Sequence, residues 1–493
     1  MYNIGLVVGG ADDQFSYQVS EGAMKAASEN GDNLFIIPVK YINRTEESRN
    51  DPCQKFEYQY NFLLTYALSH SLDAIILCIS TIAYRSERNE SMALLKAFSG
   101  VPVILVASKE DGYASVSFDN TVGLRAGIEY MIRERGCRPI CMSAAAKWNV
   151  DSIERLNIYR KVLEEHNIQV SESMIEYSDL CDKSHESFEK LLKNNPQMDG
   201  LVCVNDLTCK AAYDVLKKHN MQIGKDVCVL GFDDWDDCIY MEPPLASVRA
   251  DASELGYKAA KIINEALQNG NYNETSFFIP DTQSIIETSF VNRTSVNGIE
   301  VPFSALTKES ELNYIQRLNE MNTAKHNMNV ITRDMLMFDK GNANNFSGFL
   351  NAFSLEGVEH CYLFMLENPV EYHETEYVNV VDKLYLKAYK EGSTIVEYDK
   401  CEKVYSKNEL FHFEGFQKGQ SRNYVVIDIY SREVQYGILV CDLPLKYFGY
   451  IESICFLISL ATKMIDMLIM QEEMLQKLEQ ENLILNNISN IDE

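Results

Sequence analysis

Leu201 to Val248 reads LVCVNDLTCKAAYDVLKKHNMQIGKDVCVLGFDDWDDCIYMEPPLASV, and this stretch decides the fold. Two apolar runs, Leu201 to Val204 and Val227 to Phe232, read as strands, and each ends in a polar cluster, Asn205-Asp206 and Asp233-Asp234. Leu207 to His219 between them has helical periodicity. A β-α-β unit with polar residues at the carboxyl ends of its strands is where open α/β sheets place a binding crevice.

The same pattern extends outward. Strand-like runs recur at Ile4 to Val8, Leu34 to Pro38, Ala74 to Ile79, Val103 to Val106 and Ile140 to Ser143. Apolar residues at three- and four-residue steps mark helices at Glu21 to Asn30, Tyr58 to Ser69, Gly123 to Arg135 and Ser152 to His166. This alternation predicts parallel sheets covered by helices on both faces.

The order Asn205-Asp206, Gly231-Phe232-Asp233-Asp234 and Pro244-Leu245-Ala246-Ser247-Val248 resembles the sugar-binding core of the lactose- and galactose-repressor family. Val116-Ser117-Phe118-Asp119-Asn120 followed by Gly123 is similar to that family's entry into its second lobe. The resemblance covers 1–291 and implies an α/β, periplasmic-binding-protein-like clamp of two Rossmann-like lobes with a ligand between them. Lobe 1 is expected over about 1–117 and 246–280, and lobe 2 over about 118–245 and 281–291. The sequence departs from the family at Ile158, where a glycine is usual, and at Glu287, where an arginine is common.

A sugar's vicinal hydroxyls both donate and accept, so carboxylates, amides and an arginine satisfy them, while aromatic rings cover the apolar face of the ring. Asp233, Asn205 and Arg155 are the expected polar grip; Arg155 stands where the family carries a cleft arginine. Phe15, Tyr17, Trp148 and Trp235 are candidates for stacking, the two tryptophans being equally able to pack a lobe interface. Of the Asn-Asp pair, Asp206 is expected to cap the following helix and Asn205 to meet the ligand. Asp234, Asp236 and Asp237 read as a solvated acidic loop.

A formal net charge of -27 repels a phosphate backbone, so no direct nucleic-acid contact is expected. The family's helix-turn-helix is absent ahead of Ile4, which moves the expected output to the C-terminal part. No secretory segment precedes the first strand, so a cytoplasmic location is expected. Ile451 to Met470 is interrupted by Glu452, Lys463 and Asp466, against a membrane span. Thirteen cysteines include no Cys-x-x-Cys pair and the eight histidines are dispersed; neither a metal nor a cofactor is expected, and no nucleophile or phosphate-loop motif marks a catalytic residue.

After a linker at 292–310, helices over Leu312 to Met337 and Phe346 to Ser354 precede strands at Cys361 to Leu366, Lys383 to Tyr389, Tyr424 to Ile429 and Gln435 to Cys441. This α+β order over 311–447 resembles a GAF domain, with dimerisation its favoured role. A helix over 448–493 follows, with Ala461, Leu468, Leu475 and Asn482 on one heptad position and Met464, Gln471, Leu478 and Leu485 on the other, the pattern of a parallel homodimeric coiled coil. Its end, Ser489 to Asp492, resembles the run-in to a GGDEF diguanylate cyclase domain, which implies a sensor for cyclic-di-GMP signalling. A free-standing transcriptional co-regulator acting through a protein partner is the alternative.

Overall fold

The computed structural model describes the chain except residues 11–12, 53, 70, 84–85, 87, 99, 146–148, 179–183, 271, 273–278, 280–281, 300–314, 317, 320, 324, 327–328, 331, 334–345, 354, 375–381, 399–402, 418 and 490–493. Strands β1 (Asn3–Gly9), β2 (Asn33–Val39), β3 (Ala74–Leu77), β4 (Val103–Val106) and β5 (Ala114–Asp119) open the chain. Next come β6 (Ile140–Ala144), β7 (Ile175–Tyr177), β8 (Gly200–Cys203), β9 (Cys228–Asp233) and β10 (Ala246–Arg249), then β11 (Gln283–Glu287) and β12 (Ser289–Val291). They form two sheets, one carrying β11-β5-β4-β3-β1-β2 and the other β12-β10-β9-β8-β6-β7. All neighbours in both are parallel except β12, which is antiparallel to β10. Runs such as Asn33–Val39 and Gly200–Cys203 are buried along their whole length, as strands covered on both faces must be.

The crossovers lie a few residues from their expected places. Ala246–Arg249 pairs with β9 in the second sheet, and Gln283–Glu287 pairs with β5 in the first. The chain therefore returns to lobe 1 after Arg249, where helix Ala252–Asn269 packs on helix α1 (Gln14–Asn30). Gly22 and Gly256 make that approach possible: a Cβ on Gly22 would stand 1.7 Å from the Ser253 carbonyl oxygen, and one on Gly256 2.0 Å from that of Val19.

The expected linker is not free at its start. Ser295 is fully buried, donating to the Val229 carbonyl (2.7 Å) and accepting from the Ala246 amide (2.7 Å). Residues 294–298 thus belong to the second lobe, because they satisfy backbone groups of β9 and β10. From residue 300 the expected linker lies outside the described residues, as does half of the stretch Leu312 to Met337, whose described residues are helical as expected.

Strands β13 (His360–Glu371), β14 (Lys383–Glu391), β15 (Thr394–Glu397), β16 (Val404–Ser406), β17 (Asn423–Ser431) and β18 (Val434–Cys441) complete the chain's sheets. They do not stand apart from lobe 1. Strand β17 runs parallel to β2, with Asn423, Tyr424 and Val425 opposite Leu34, Phe35 and Ile36, so that one twelve-stranded sheet passes through lobe 1 into the order β17-β18-β13-β14-β15. The join covers what would otherwise be an open apolar edge on β2. Buried asparagines fasten it: Asn33 donates to the Phe416 carbonyl (2.8 Å) and accepts from the Arg422 amide (2.9 Å), while Asn3 donates to the Phe411 carbonyl (2.8 Å).

The last helix, α2 (Ile451–Ser489), packs its first turns on β17. Ile454, Cys455, Ile458, Ala461 and Ile465 are buried in the same core as lobe 1. Ala461, expected in an intermolecular seam, instead faces this chain's own sheet, since its helical face is the one that carries the run of small and branched apolar residues. The segment Leu445–Ile465 is long and apolar enough by composition to cross a membrane, and half of it is buried against the protein. Lys40 after β2 is 2.6 Å from Glu452 at the start of α2.

Candidate functional site

The carboxyl ends of β8 and β9 and the helices that follow β5 and β6 converge between the lobes. Helix α3 (Val150–Glu165) begins under an Asn149 cap and brings Arg155 inward on its second turn. Arg155 is buried. Its Nε donates to Asn120 Oδ1 (3.2 Å), its Nη1 donates to the Val204 carbonyl (2.6 Å), and its guanidinium carbon lies 3.5 Å from the centroid of the Phe232 ring. Such a stacked, hydrogen-bonded fork is rigid. Asn120 in turn donates to Asp151 (3.3 Å) and Glu154 (2.6 Å).

Asp233 ends β9 with φ of 105°, a left-handed backbone that a non-glycine residue adopts at a cost. Among the described residues its carboxylate has no hydrogen-bond partner. Burial pushes its pKa well above the usual carboxylate range, Arg155 opposes the shift, and the carboxylates of Asp206, Asp151 and Asp13 add to it. A strained, desolvated and unpartnered acceptor beside a fixed guanidinium is suited to a ligand that donates hydroxyl hydrogen bonds.

Its neighbours are committed to structure. Asp234 also has positive φ, 57°, and is held by Arg293 (2.6 Å) and Arg249 (2.8 Å), so it is a buried anchor and not part of a solvated loop. In the Asn-Asp pair the expected cap is displaced by one residue. Asn205 is the cap: its Oδ1 accepts from the Thr208 amide at 3.0 Å. Asp206 is buried, accepting from Ser247 Oγ (2.7 Å) and the Trp235 amide (2.9 Å), and burial raises its carboxyl to about 6. A Cβ on Gly231 would stand 2.0 Å from Asp206 Oδ1, which explains the glycine in Gly231-Phe232-Asp233-Asp234. Asp206 thereby fixes the loop that carries Asp233, a positioning role that the sequence signals only through that glycine.

The aromatic candidates scatter. Phe15 and Tyr17 lie in the first turns of α1, half-buried against the main core. Tyr17 meets the ring of Phe448 edge-on at 6.2 Å, which directs it to the segment leading into α2. Trp235 is half-buried against the core of lobe 2. Trp148 lies outside the described residues. Among the described residues no group of three His, Cys, Asp or Glu side chains is arranged to hold a metal, and ten cysteines are buried thiols.

The family model of the periplasmic binding protein-like domain matches residues 130–296. That stretch is similar to a periplasmic-binding-protein-like domain. Among curated proteins, this chain is similar to the HTH-type transcriptional regulator CelR of Thermobifida fusca, 26% identical over 207 residues, covering 41% of this chain and 60% of that protein. The ribose operon repressor of Bacillus subtilis (strain 168) is 24% identical over 191 residues, covering 38% of this chain and 58% of that protein. The chain spans about three fifths of the length of these relatives. A solved structure of a transcriptional regulator CelR–cellobiose complex superposes with a TM-score of 0.50 at 23% identity, covering 59% of this chain and 84% of that one. The two-lobed fold of the periplasmic-binding-protein-like domain is therefore shared with this regulator, and the strands after β12 extend it.

Proposed function

We propose that this chain is the cytoplasmic sensory part of a regulatory protein, whose two lobes close on a sugar-like molecule and whose final helix passes the change onward in a parallel homodimer. The observation that carries this reading is Asp233, unpartnered and strained beside Arg155 at the mouth of a periplasmic-binding-protein-like domain. Closure couples the ligand's differing affinity for open and closed lobes to the helix that leaves the lobe 1 sheet. On this reading the GAF-like module over 311–447 supplies the rigid mount, the chain itself catalyses nothing, and the output to which it passes the signal is a diguanylate cyclase.

The second reading, a transcriptional co-regulator that works through a protein partner, is favoured by the relatives, which are named as transcriptional regulators. Both readings share one test. Calorimetric titration of ribose, glucose, galactose, cellobiose, lactose and maltose is expected to give binding by at least one of them, lost in Asp233→Asn. Binding unchanged in that variant sinks the cleft assignment, and assays of cyclase output and of partner co-purification separate the two readings.

A further inference from the structure

A cavity of ≈ 310 Å³ lies where the first turns of α2, the turn between β17 and β18 and the short lobe 1 helix Glu57–Leu63 meet, and none of its lining residues belongs to the Asp233 and Arg155 site. Its volume is at the low end of the ~300–1,000 Å³ typical of small-molecule sites, which suits a single ring with a short arm. The walls are unevenly satisfied. Phe56, Phe456 and Leu460 form an apolar side, and Phe456 and Leu460 are 52% and 51% exposed. Tyr60, also on the wall, is 3% exposed, yet among the described residues its hydroxyl has no hydrogen-bond partner. The Cys455 thiol of α2 gives its own hydrogen to the Asp428 carbonyl (2.9 Å). Buried hydroxyls are nearly always satisfied, and an orphan is costly, so an acceptor entering the cavity would complete Tyr60.

The charges narrow what that acceptor is. Two cations line the cavity, Arg432 in the turn and Lys463 on α2. Among the described residues neither forms an ion pair, and Lys463 donates only to the neutral Ser431 hydroxyl (3.2 Å). Of the two carboxylates on the walls, Glu452 is already held by Lys40 (2.6 Å), and Glu57 stands in the first turn of its helix, where the free amides favour a negative charge. The uncompensated charge is therefore positive and attracts an anion, while the two carboxylates disfavour a doubly charged phosphate. A single carboxylate attached to an apolar ring meets the cations, the phenylalanines and the Tyr60 hydroxyl together.

We propose that this cavity binds a small ring-bearing carboxylic acid, its carboxylate on Arg432 and Lys463 and its ring against Phe56 and Phe456. Such a ligand ties lobe 1 and the β17–β18 turn to the first turns of α2, so its affinity depends on where that helix sits. It is a second input to the helix, independent of what the lobes hold.

The test titrates benzoate, phenylacetate and 3-phenylpropionate, beside their neutral amides, into the full chain by calorimetry. At least one acid is expected to bind at millimolar concentration or below, and at least tenfold more tightly than its amide. Arg432→Gln combined with Lys463→Gln is expected to weaken that acid at least tenfold, and Tyr60→Phe severalfold, with melting temperatures unchanged because the only protein bond lost is the one to Ser431. Asp233→Asn is expected to bind the acid as the wild type does. Absence of binding by all three acids, equal affinity for acid and amide, or affinity unchanged in both the cation and the Tyr60 variants overturns the site. Loss of the acid in Asp233→Asn overturns it too, by placing the acid between the lobes.

Discussion

Phe35 of β2 and Tyr424 of β17 lie opposite each other in register and stack at 5.2 Å between ring centroids, with planes 17° apart. They join lobe 1 to the C-terminal strands through a shared aromatic core that also includes Phe411 and Phe416. The two parts should therefore unfold together. Phe35→Ala is expected to cost about 3–5 kcal/mol and to lower a single melting transition, followed by circular dichroism and by a fluorescence probe in the C-terminal strands. Two separate transitions in the wild type would show that the sheet is not continuous in energy.

Asp233, the proposed binding group, is held against its own stability. Its raised pKa means that the folded state prefers the protonated form, so its contribution to stability is present at low pH and lost as pH rises through the folded pKa. Asp233→Asn removes the charge while keeping a side chain tolerant of positive φ. It is expected to stabilise the empty protein at pH 7 by about 1 kcal/mol, in the manner of a stability–function exchange, and to weaken ligand binding by at least a hundredfold. Loss of stability in this variant would argue that the carboxylate has a structural partner.

Asp206 gives a pH signature in a defined window. Its carboxyl rises from 3.8 to about 6 because burial outweighs the bonds from Ser247 and the Trp235 amide. The native state then binds the proton more tightly than the unfolded state, so stability falls as pH rises from about 4 to about 6. Asp206→Asn abolishes this slope. The difference in unfolding free energy between wild type and variant should change by up to about 3 kcal/mol across that interval, with the wild type losing ground as pH rises. Denaturant titrations at pH 4, 5, 6 and 7 measure it, and a pH-independent difference would rule out the buried ionisation.

How much of this was legible in the sequence depends on range. Strands such as Leu201–Cys203 announce themselves because burial on both faces demands a continuous apolar run. Local ambiguity is harder: Asn205 and Asp206 are both competent helix caps, and only the position of Ser247, 41 residues away, decides that the aspartate turns inward. The join between Asn33 and Arg422 spans 389 residues, and nothing in the run Asn33–Val39 tells whether its outer edge meets solvent or another strand. Arg155 was recognisable from its place in a motif, but its stacking on Phe232 and its bond to Val204 follow from the meeting of three elements.

The last helix shows the same limit and yields the final prediction. Apolar residues at three- and four-residue steps satisfy two faces of α2 at once, and the fold assigns them different work. Ala461 faces the chain's own sheet, whereas Met467, Met470 and Met474 are 60%, 55% and 65% exposed. A helix whose outer half exposes this much apolar surface is poorly supported alone, and in the proposed parallel homodimer a second copy would cover those methionines. Ala461→Leu should therefore overpack the core, costing about 1–3 kcal/mol without changing the oligomer. Met470→Glu combined with Met474→Glu should leave the melting temperature of the body unchanged and convert a dimer into a monomer by sedimentation equilibrium. If that double variant sediments as the wild type does, the outer face of the helix is not where two chains meet.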